Sequence, residues 1–243
     1  MRQVIFHYHL FKNAGTSLDS QLKKNVKRGE WLTDEFPGPL KPNRAGVKRW
    51  LESEPRARVF SSHSAYLPEP DIADVKVLPV IFIRHPIDRI ASIHAFEKKQ
   101  GTDNFGSVLA RHTNLQGYIE SRLALPKDRL CRNFHSQRFG FRYDPEVGTE
   151  LFRAQKAVAE LPFVGVVDRF EESLVRLQEW LREEGFPGMR LVAVRKNVSR
   201  DLDRSLAERL DEIKREIGSD TYKKLLKANE EDLQLYEQAS AKL

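Results

Sequence analysis

Three observations predict an α/β fold, in three α/β/α layers around a central parallel sheet. Short apolar runs alternate with stretches of helical periodicity, and two of the runs pass through a turn directly into such a stretch. The longest run, VKVLPVIFIR (75–84), is apolar enough for a strand buried on both faces. At 243 residues with 40% hydrophobic content, the chain suffices for one sizeable core. It reads as a single domain over 1–243, with a helical C-terminal segment at about 202–241.

The elements follow in order. QVIFHYHL (3–10) is β-branched and aromatic and ends in a Gly-containing turn, which predicts a strand. Leu18, Leu22 and Val26 then repeat at helical spacing over 16–27, with Thr16 or Ser17 as cap. EFPGPLKPN (35–43) reads as a loop, AGVKRWLESE (45–54) as a short helix and RVFSS (58–62) as a second strand. After the long strand, Pro86 falls in the first turn of a helix carrying Ile87, Ile90, Ala91 and Ile93. Residues 101–143 mix helical fragments with Gly, Asn and aromatics and give no clean pattern. LPFVGVV (161–167) predicts a buried strand, and the spacing from Phe170 to Leu181 predicts an amphipathic helix ending at Gly185. Two helices, at about 202–217 and 220–239, complete the chain.

Both charge signs are spread along the sequence, so no half reads as disordered, and the net charge of +6 favours anionic ligands without choosing among them. The one cysteine, Cys131, has no internal disulfide partner, and no Cys/His set has zinc spacing, so a reducing compartment is expected. No run approaches the ~20 apolar residues of a membrane span, and no basic and apolar leader opens the chain; a soluble, cytoplasmic protein is expected.

The first turn, FKNAGTS (11–17), presents backbone N–H groups at a helix start, with a charge from Lys12 and hydroxyls from Thr16 and Ser17, a combination suited to phosphate. It is not the G-x-x-x-x-G-K-[ST] loop of nucleoside triphosphatases, because no lysine precedes Thr16 or Ser17. The long strand ends in Arg84 rather than a magnesium-binding acid. In the second turn, Arg84, Arg89 and Ser92 are spaced to converge on a second anion, since positions i and i+3 share a helix face. Two anion sites at neighbouring strand ends suit a ligand phosphorylated at two separated points.

HLFKNAGTS resembles the H-x-P-K-T-G/A-G-T-S phosphosulfate loop of sulfotransferases that use 3′-phosphoadenosine 5′-phosphosulfate (PAPS), and IRHPIDRIASIHAF resembles their R-x-P-x-x-R-x-x-S motif for the 3′-phosphate. FVGVVDRFEESLVRL is similar to the V-G-x-x-E-R-F-E-x-S-L segment of the carbohydrate branch, which includes heparan 2-O-sulfotransferase. NFHSQRFGF (133–141) resembles that branch's N-x-Q-T-R-x-L-x-G segment more loosely. The resemblance spans Phe6 to Arg200 and has departures: Phe11 replaces a proline, Asp168 stands where glutamate is frequent, and the Gln-Thr-Arg element is incomplete.

The resemblance implies the P-loop-like sulfotransferase fold and transfer of a sulfuryl group from PAPS to a hydroxyl of an acceptor such as a carbohydrate, releasing 3′-phosphoadenosine 5′-phosphate (PAP) and needing no metal. Lys12 becomes the catalytic cation, with Asn13, Ala14, Gly15, Thr16 and Ser17 around the 5′-phosphate. Arg84 and Ser92 become ligands of the 3′-phosphate, supported by Arg89. VRKNVSR (194–200) resembles the late loop that closes over the nucleotide, which brings in Arg195, Lys196 and Asn197. His63, at the end of the second short strand, is the expected base, because histidine titrates near neutrality and the branch carries a catalytic histidine in a similar segment. Glu97 and Asp103 are carboxylate alternatives. His9 matches a family histidine beside the loop, whereas His7 reads as a hydrogen-bonded strand residue. Arg138 suits an acidic acceptor or a pairing with a neighbouring carboxylate. Two rival functions remain, a magnesium-dependent kinase and a non-catalytic polyanion-binding module; the missing Lys-Ser/Thr pair opposes the first, and the dispersed charge opposes the second. The expected partners are thus a nucleotide donor and a hydroxyl-bearing acceptor, a glycan or glycoside, rather than nucleic acid or membrane.

Overall fold

The computed structural model describes residues 1–192 and 204–243. Five parallel strands, β1 (Arg2–Tyr8), β2 (Trp31–Thr33), β3 (Val59–Ser62), β4 (Val75–Ile83) and β5 (Gly165–Val166), form one sheet in the order β2-β3-β1-β4-β5. Helices cover both faces, so the three-layer α/β/α class expected from the sequence is the fold observed.

Alternation along β1 sets what each face holds. Val4, Phe6 and Tyr8 point into a core shared with α2 (Leu40–Ser53), α6 (Phe134–Gly140), α7 (Glu150–Glu160) and α10 (Glu230–Lys242). Ile5 points the other way, into a core shared with α1 (Gly15–Lys23) and α8 (Phe170–Glu183). His7 shares the parity of Ile5 and therefore faces α1. A third cluster joins α3 (Pro86–Lys99), α4 (Phe105–His112), α5 (Leu115–Leu123) and α9 (Leu206–Ala228). Each fully buried leucine, isoleucine or phenylalanine contributes about 1.5–3 kcal/mol relative to exposure.

Several elements differ from expectation for identifiable reasons. α2 begins at Leu40, inside the predicted loop, because Pro42 falls in the first turn, where a helix needs no N–H from it. The unassigned middle contains α4 and α5, capped by Asn104 and Asn114, whose side chains accept from Ser107 N and Gly117 N, each at 2.9 Å. The predicted strand at 161–167 shrinks to the two residues of β5. Pro79 is tolerated within β4 because β5 pairs with it only at Phe82 and Ile83, so the lower part of β4 lacks a ladder on that side. In the C-terminal segment, Gly218 takes φ +75° and ψ 158° inside α9, which places a kink at the predicted break between two helices. No helix among the described residues is long and apolar enough to cross a membrane.

Candidate functional site

The segment joining β1 to α1 is a tight loop in which two non-glycine residues, Lys12 (φ 62°) and Ala14 (φ 59°), adopt the left-handed conformation. Such residues carry on the order of 1–3 kcal/mol of strain each and persist where surrounding contacts fix them. Phe11 supplies one contact, its ring lying edge-on to Phe96 at 5.6 Å. Asn13 supplies another: its Nδ2 donates to the Phe11 carbonyl at 3.1 Å, and its Oδ1 lies 3.0 Å from His135 Nε2. The His135 Nδ1 lies 3.1 Å from the carboxylate of Asp232, which is fully buried on α10. Asn13, expected among the phosphate ligands, therefore turns its side chain inward, and its N–H is engaged by the Leu10 carbonyl at 3.1 Å. The N–H groups of Gly15 and Thr16, at the start of α1, have no intrahelical acceptor and are the loop's natural anion donors. Thr16 is exposed and Ser17 buried at this turn.

Lys12 lies half-buried with its ammonium 4.5 Å from the centroid of the Phe96 ring. Burial, then the charges of Arg84 and Lys99, push its pKa down to about 8. The Arg84 Nη1 donates to the Lys12 carbonyl at 3.2 Å, which ties the second predicted turn to the first. Asp88 on α3 holds Arg84 through Nε at 2.7 Å, and Arg209 on α9 reaches Asp88 at 3.2 Å. Arg209 also pairs with Asp168 at 2.5 Å, and Asp168 accepts from the Tyr236 hydroxyl at 3.1 Å. Asp168 thus anchors α9 and α10 beside Arg84. Ser92 is buried on the same helix.

Arg89 lies elsewhere than expected. Its side chain is fully buried, donates to the Leu130 carbonyl at 2.7 Å and stacks on Phe134 at 4.1 Å, so it braces the segment leading to α6 beneath the surface. Burial lowers its pKa to about 10. Arg138 lies over Tyr66 at 4.7 Å and Phe134 at 5.3 Å, with Nε and Nη1 buried and unpartnered; among the described residues it makes no ion pair with a carboxylate. Arg195, Lys196 and Asn197 lie outside the described residues.

The third component is a group of histidines at the carboxyl ends of β1 and β3. Asp19, one turn into α1, receives His7 Nδ1 at 2.6 Å and His9 Nδ1 at 2.8 Å on its two oxygens, and the Ser61 hydroxyl donates to it at 2.9 Å. Ser61 is the register partner of His7 on β3. The exposed His63 ring lies against His9 with ring centroids 3.8 Å apart and planes tilted by 41°, and the His63 backbone N–H donates to Glu35 at 3.1 Å. Burial, then the neighbouring His9, lowers the pKa of His63, with Glu35 and Asp19 opposing. Burial likewise lowers that of His9 against its bond to Asp19. Of the carboxylate alternatives, Glu97 accepts from the Tyr118 hydroxyl at 2.6 Å and from Arg122 at 3.1 Å, and Asp103 pairs with Arg111 at 2.9 Å.

Sequence reasoning reached Lys12, Arg84, His9 and His63 but missed Asp19, Asp88 and Arg209. The parity of His7 and His9 was visible, whereas their shared carboxylate depends on how α1 docks. Among the described residues, His7, His9 and Asp19 are the one group of metal-ligand type, with donor atoms within 4.8 Å of one another. Their contacts have hydrogen-bond lengths. Donors around a tetrahedral ion with bonds of ~2.0–2.1 Å would stand roughly 3.3 Å apart. An open pocket of about 610 Å³ beside Gln21, Lys24 and Arg190 lies toward the far end of α1 and includes none of these groups.

No protein-family model matches the chain. It is similar to an uncharacterized protein of Archaeoglobus fulgidus, at 41% identity over 244 residues that take in 97% of this chain and 95% of that one. An alignment of that extent joins the two along essentially their whole lengths, and the chain belongs to the family of the Archaeoglobus fulgidus protein.

Proposed function

We propose that the chain is a PAPS-dependent sulfotransferase acting on a hydroxyl of a carbohydrate or glycoconjugate. The observation that carries the reading is the bond from Arg84 Nη1 to the Lys12 carbonyl, 3.2 Å, which makes the two anion-binding turns one unit at neighbouring strand ends. A donor with phosphates at both ends of a nucleoside suits that unit. The strained loop, the orphan N–H groups of Gly15 and Thr16, and the half-buried ammonium of Lys12 suit its phosphosulfate end.

PAPS, when bound, supplies the sulfuryl group. Lys12 provides positive charge where the departing phosphate side gains negative charge, and the first turn of α1 adds fixed dipoles that need no reorganisation. Arg84, preset by Asp88, holds the 3′-phosphate side. His63 takes the proton of the acceptor hydroxyl, a role suited to a neutral imidazole exposed at the mouth of the site. Arg138, its guanidinium packed over Tyr66 and Phe134, is the cation we assign to an acidic portion of the acceptor.

Calorimetric titration with PAP, compared with ADP and magnesium, tests the reading. Metal-independent binding of PAP that is lost in Arg84→Ala, with PAPS-dependent transfer reduced in Lys12→Ala and in His63→Ala, is the expected outcome. Preference for ADP with magnesium would make the protein a kinase, and binding of neither would refute both nucleotide readings.

A further inference from the structure

The carboxylate of Asp19 receives two imidazoles at once. His7 Nδ1 and His9 Nδ1 approach separate oxygens at 2.6 and 2.8 Å, and Ser61 adds a third donor at 2.9 Å. Both rings are buried, His7 at 1% and His9 at 7% exposure, so water does not compete for these bonds. A carboxylate only accepts, so each ring places a proton on Nδ1. Gly15 adds a steric constraint: a Cβ at that position would stand 2.0 Å from the His9 ring, so the ring fills the space that glycine leaves at the start of α1. His9 is thus fixed by α1 on two sides, and its face supports His63 at 3.8 Å.

We propose that Asp19 is a positioning residue for the transfer, acting through His9: it fixes the His9 ring against which His63 lies, and its negative charge balances the imidazolium that forms when His63 accepts the acceptor's proton. This rests on the sulfotransferase reading. The proton moves from the acceptor hydroxyl to His63, the electron pair it leaves forms the new oxygen–sulfur bond, and the donor's phosphate oxygen departs with the pair of the bond that breaks. Three groups face His63: the His9 ring from the turn after β1, Glu35 from the segment after β2, and Asp19 behind His9 from α1. Asp19 is ionised for this role. Burial opposes its charge, but the charge and hydrogen bonds of His7, then those of His9, outweigh burial and hold it far below the usual carboxylate range.

The experiment is nitrogen-detected NMR of the histidine rings across pH, on wild type, Asp19→Asn and Asp19→Glu, with PAP titration and a pH profile of transfer for each. In the wild type, His7 and His9 show the Nδ1–H tautomer. In Asp19→Asn the midpoint of His63 falls by roughly half to one pH unit. The transfer plateau falls about tenfold or more while PAP affinity stays within about twofold. Asp19→Glu restores the His63 midpoint. An Nε2–H tautomer at His9 in the wild type overturns the inference even if Asp19→Asn fails to fold. So does an unmoved His63 midpoint, an undiminished plateau, or stoichiometric binding of zinc or cobalt that activates transfer. If PAPS proves not to be the donor, the tautomers and the midpoint still report on Asp19, so its failure and that of the sulfotransferase reading are separable.

Discussion

Lys12 combines a backbone that glycine would occupy more cheaply with an ammonium whose pKa is pushed down to about 8 by burial, then by Arg84 and Lys99. A bound anion favours its charged form, so the free protein loses a proton that the complex retains as pH rises through that value. PAP affinity is therefore expected to fall above about pH 8, and in Arg84→Gln the remaining affinity should persist to higher pH, because one of the repelling charges is gone. Calorimetry at several pH values reads both effects. Gly15 supports a second expectation. Alanine ordinarily favours a helix over glycine by about 1 kcal/mol. Here its Cβ would meet the His9 ring at 2.0 Å, a ring held by Asp19, so Gly15→Ala should lower both thermal stability and PAP affinity. These residues were legible because the loop is local in sequence: a lysine, a glycine and two hydroxyls lie within six positions. Asp19 was not, since nothing in a helix's own periodicity says which strand residues its second turn will meet.

Among the elements, long periodic segments were readable and short capped ones were not. α3 and α8 match their apolar spacing, whereas α4 and α5, with 8 and 9 residues, give too few repeats to stand out. Their asparagine caps were the available signal. β5 shows the opposite error: its apolar run reflects burial of Phe163 and Val164 rather than strand pairing, and Gly165 is needed because a Cβ would stand 2.5 Å from the Phe82 ring. α9 carries the clearest prediction at this level. At φ +75° and ψ 158°, Gly218 occupies a region that only glycine enters readily, and no atom lies within 4 Å of a Cβ built there. Gly218→Ala therefore pits backbone strain against no steric clash, and a loss of about 1–3 kcal/mol in chemical denaturation is expected. A stabilised variant would mean that the kink is not held by the packing of α9 on α3 and α5.

For the molecule as a whole, α10 closes the site from behind. Asp232, without solvent exposure, accepts from the backbone of His135 and Ser136 at 2.9 and 2.7 Å, from the Ser136 hydroxyl at 2.9 Å and from the His135 ring at 3.1 Å. Asp232→Ala strands these donors and is expected to cost about 3–5 kcal/mol, measured by urea denaturation. The same network predicts acid sensitivity. Burial lowers the pKa of His135 against the pull of Asp232, so the unfolded chain binds the extra proton and stability falls as pH drops below about 6.5. For Asp232, burial is outweighed by His135 and the backbone donors, so its contribution is present above about pH 3.8 and is lost as pH falls further. Both phases should appear in the midpoint of thermal unfolding against pH. The layered class was legible because strand and helix periods alternate along the chain, but no local pattern links Asp232 to His135, 97 residues away, or His135 to Asn13, 122 residues away. That chain of contacts also bears on when the protein becomes competent. A ribosome releases residues in order, and a nascent chain can fold its early strands while later helices are still unmade. The loop around Lys12 is made before the carboxylate that braces it, which arrives more than two hundred residues later. A chain stalled before Asp232 would hold the sheet with its Lys12 loop unbraced, so that loop becomes fixed only after Asp232 has been made.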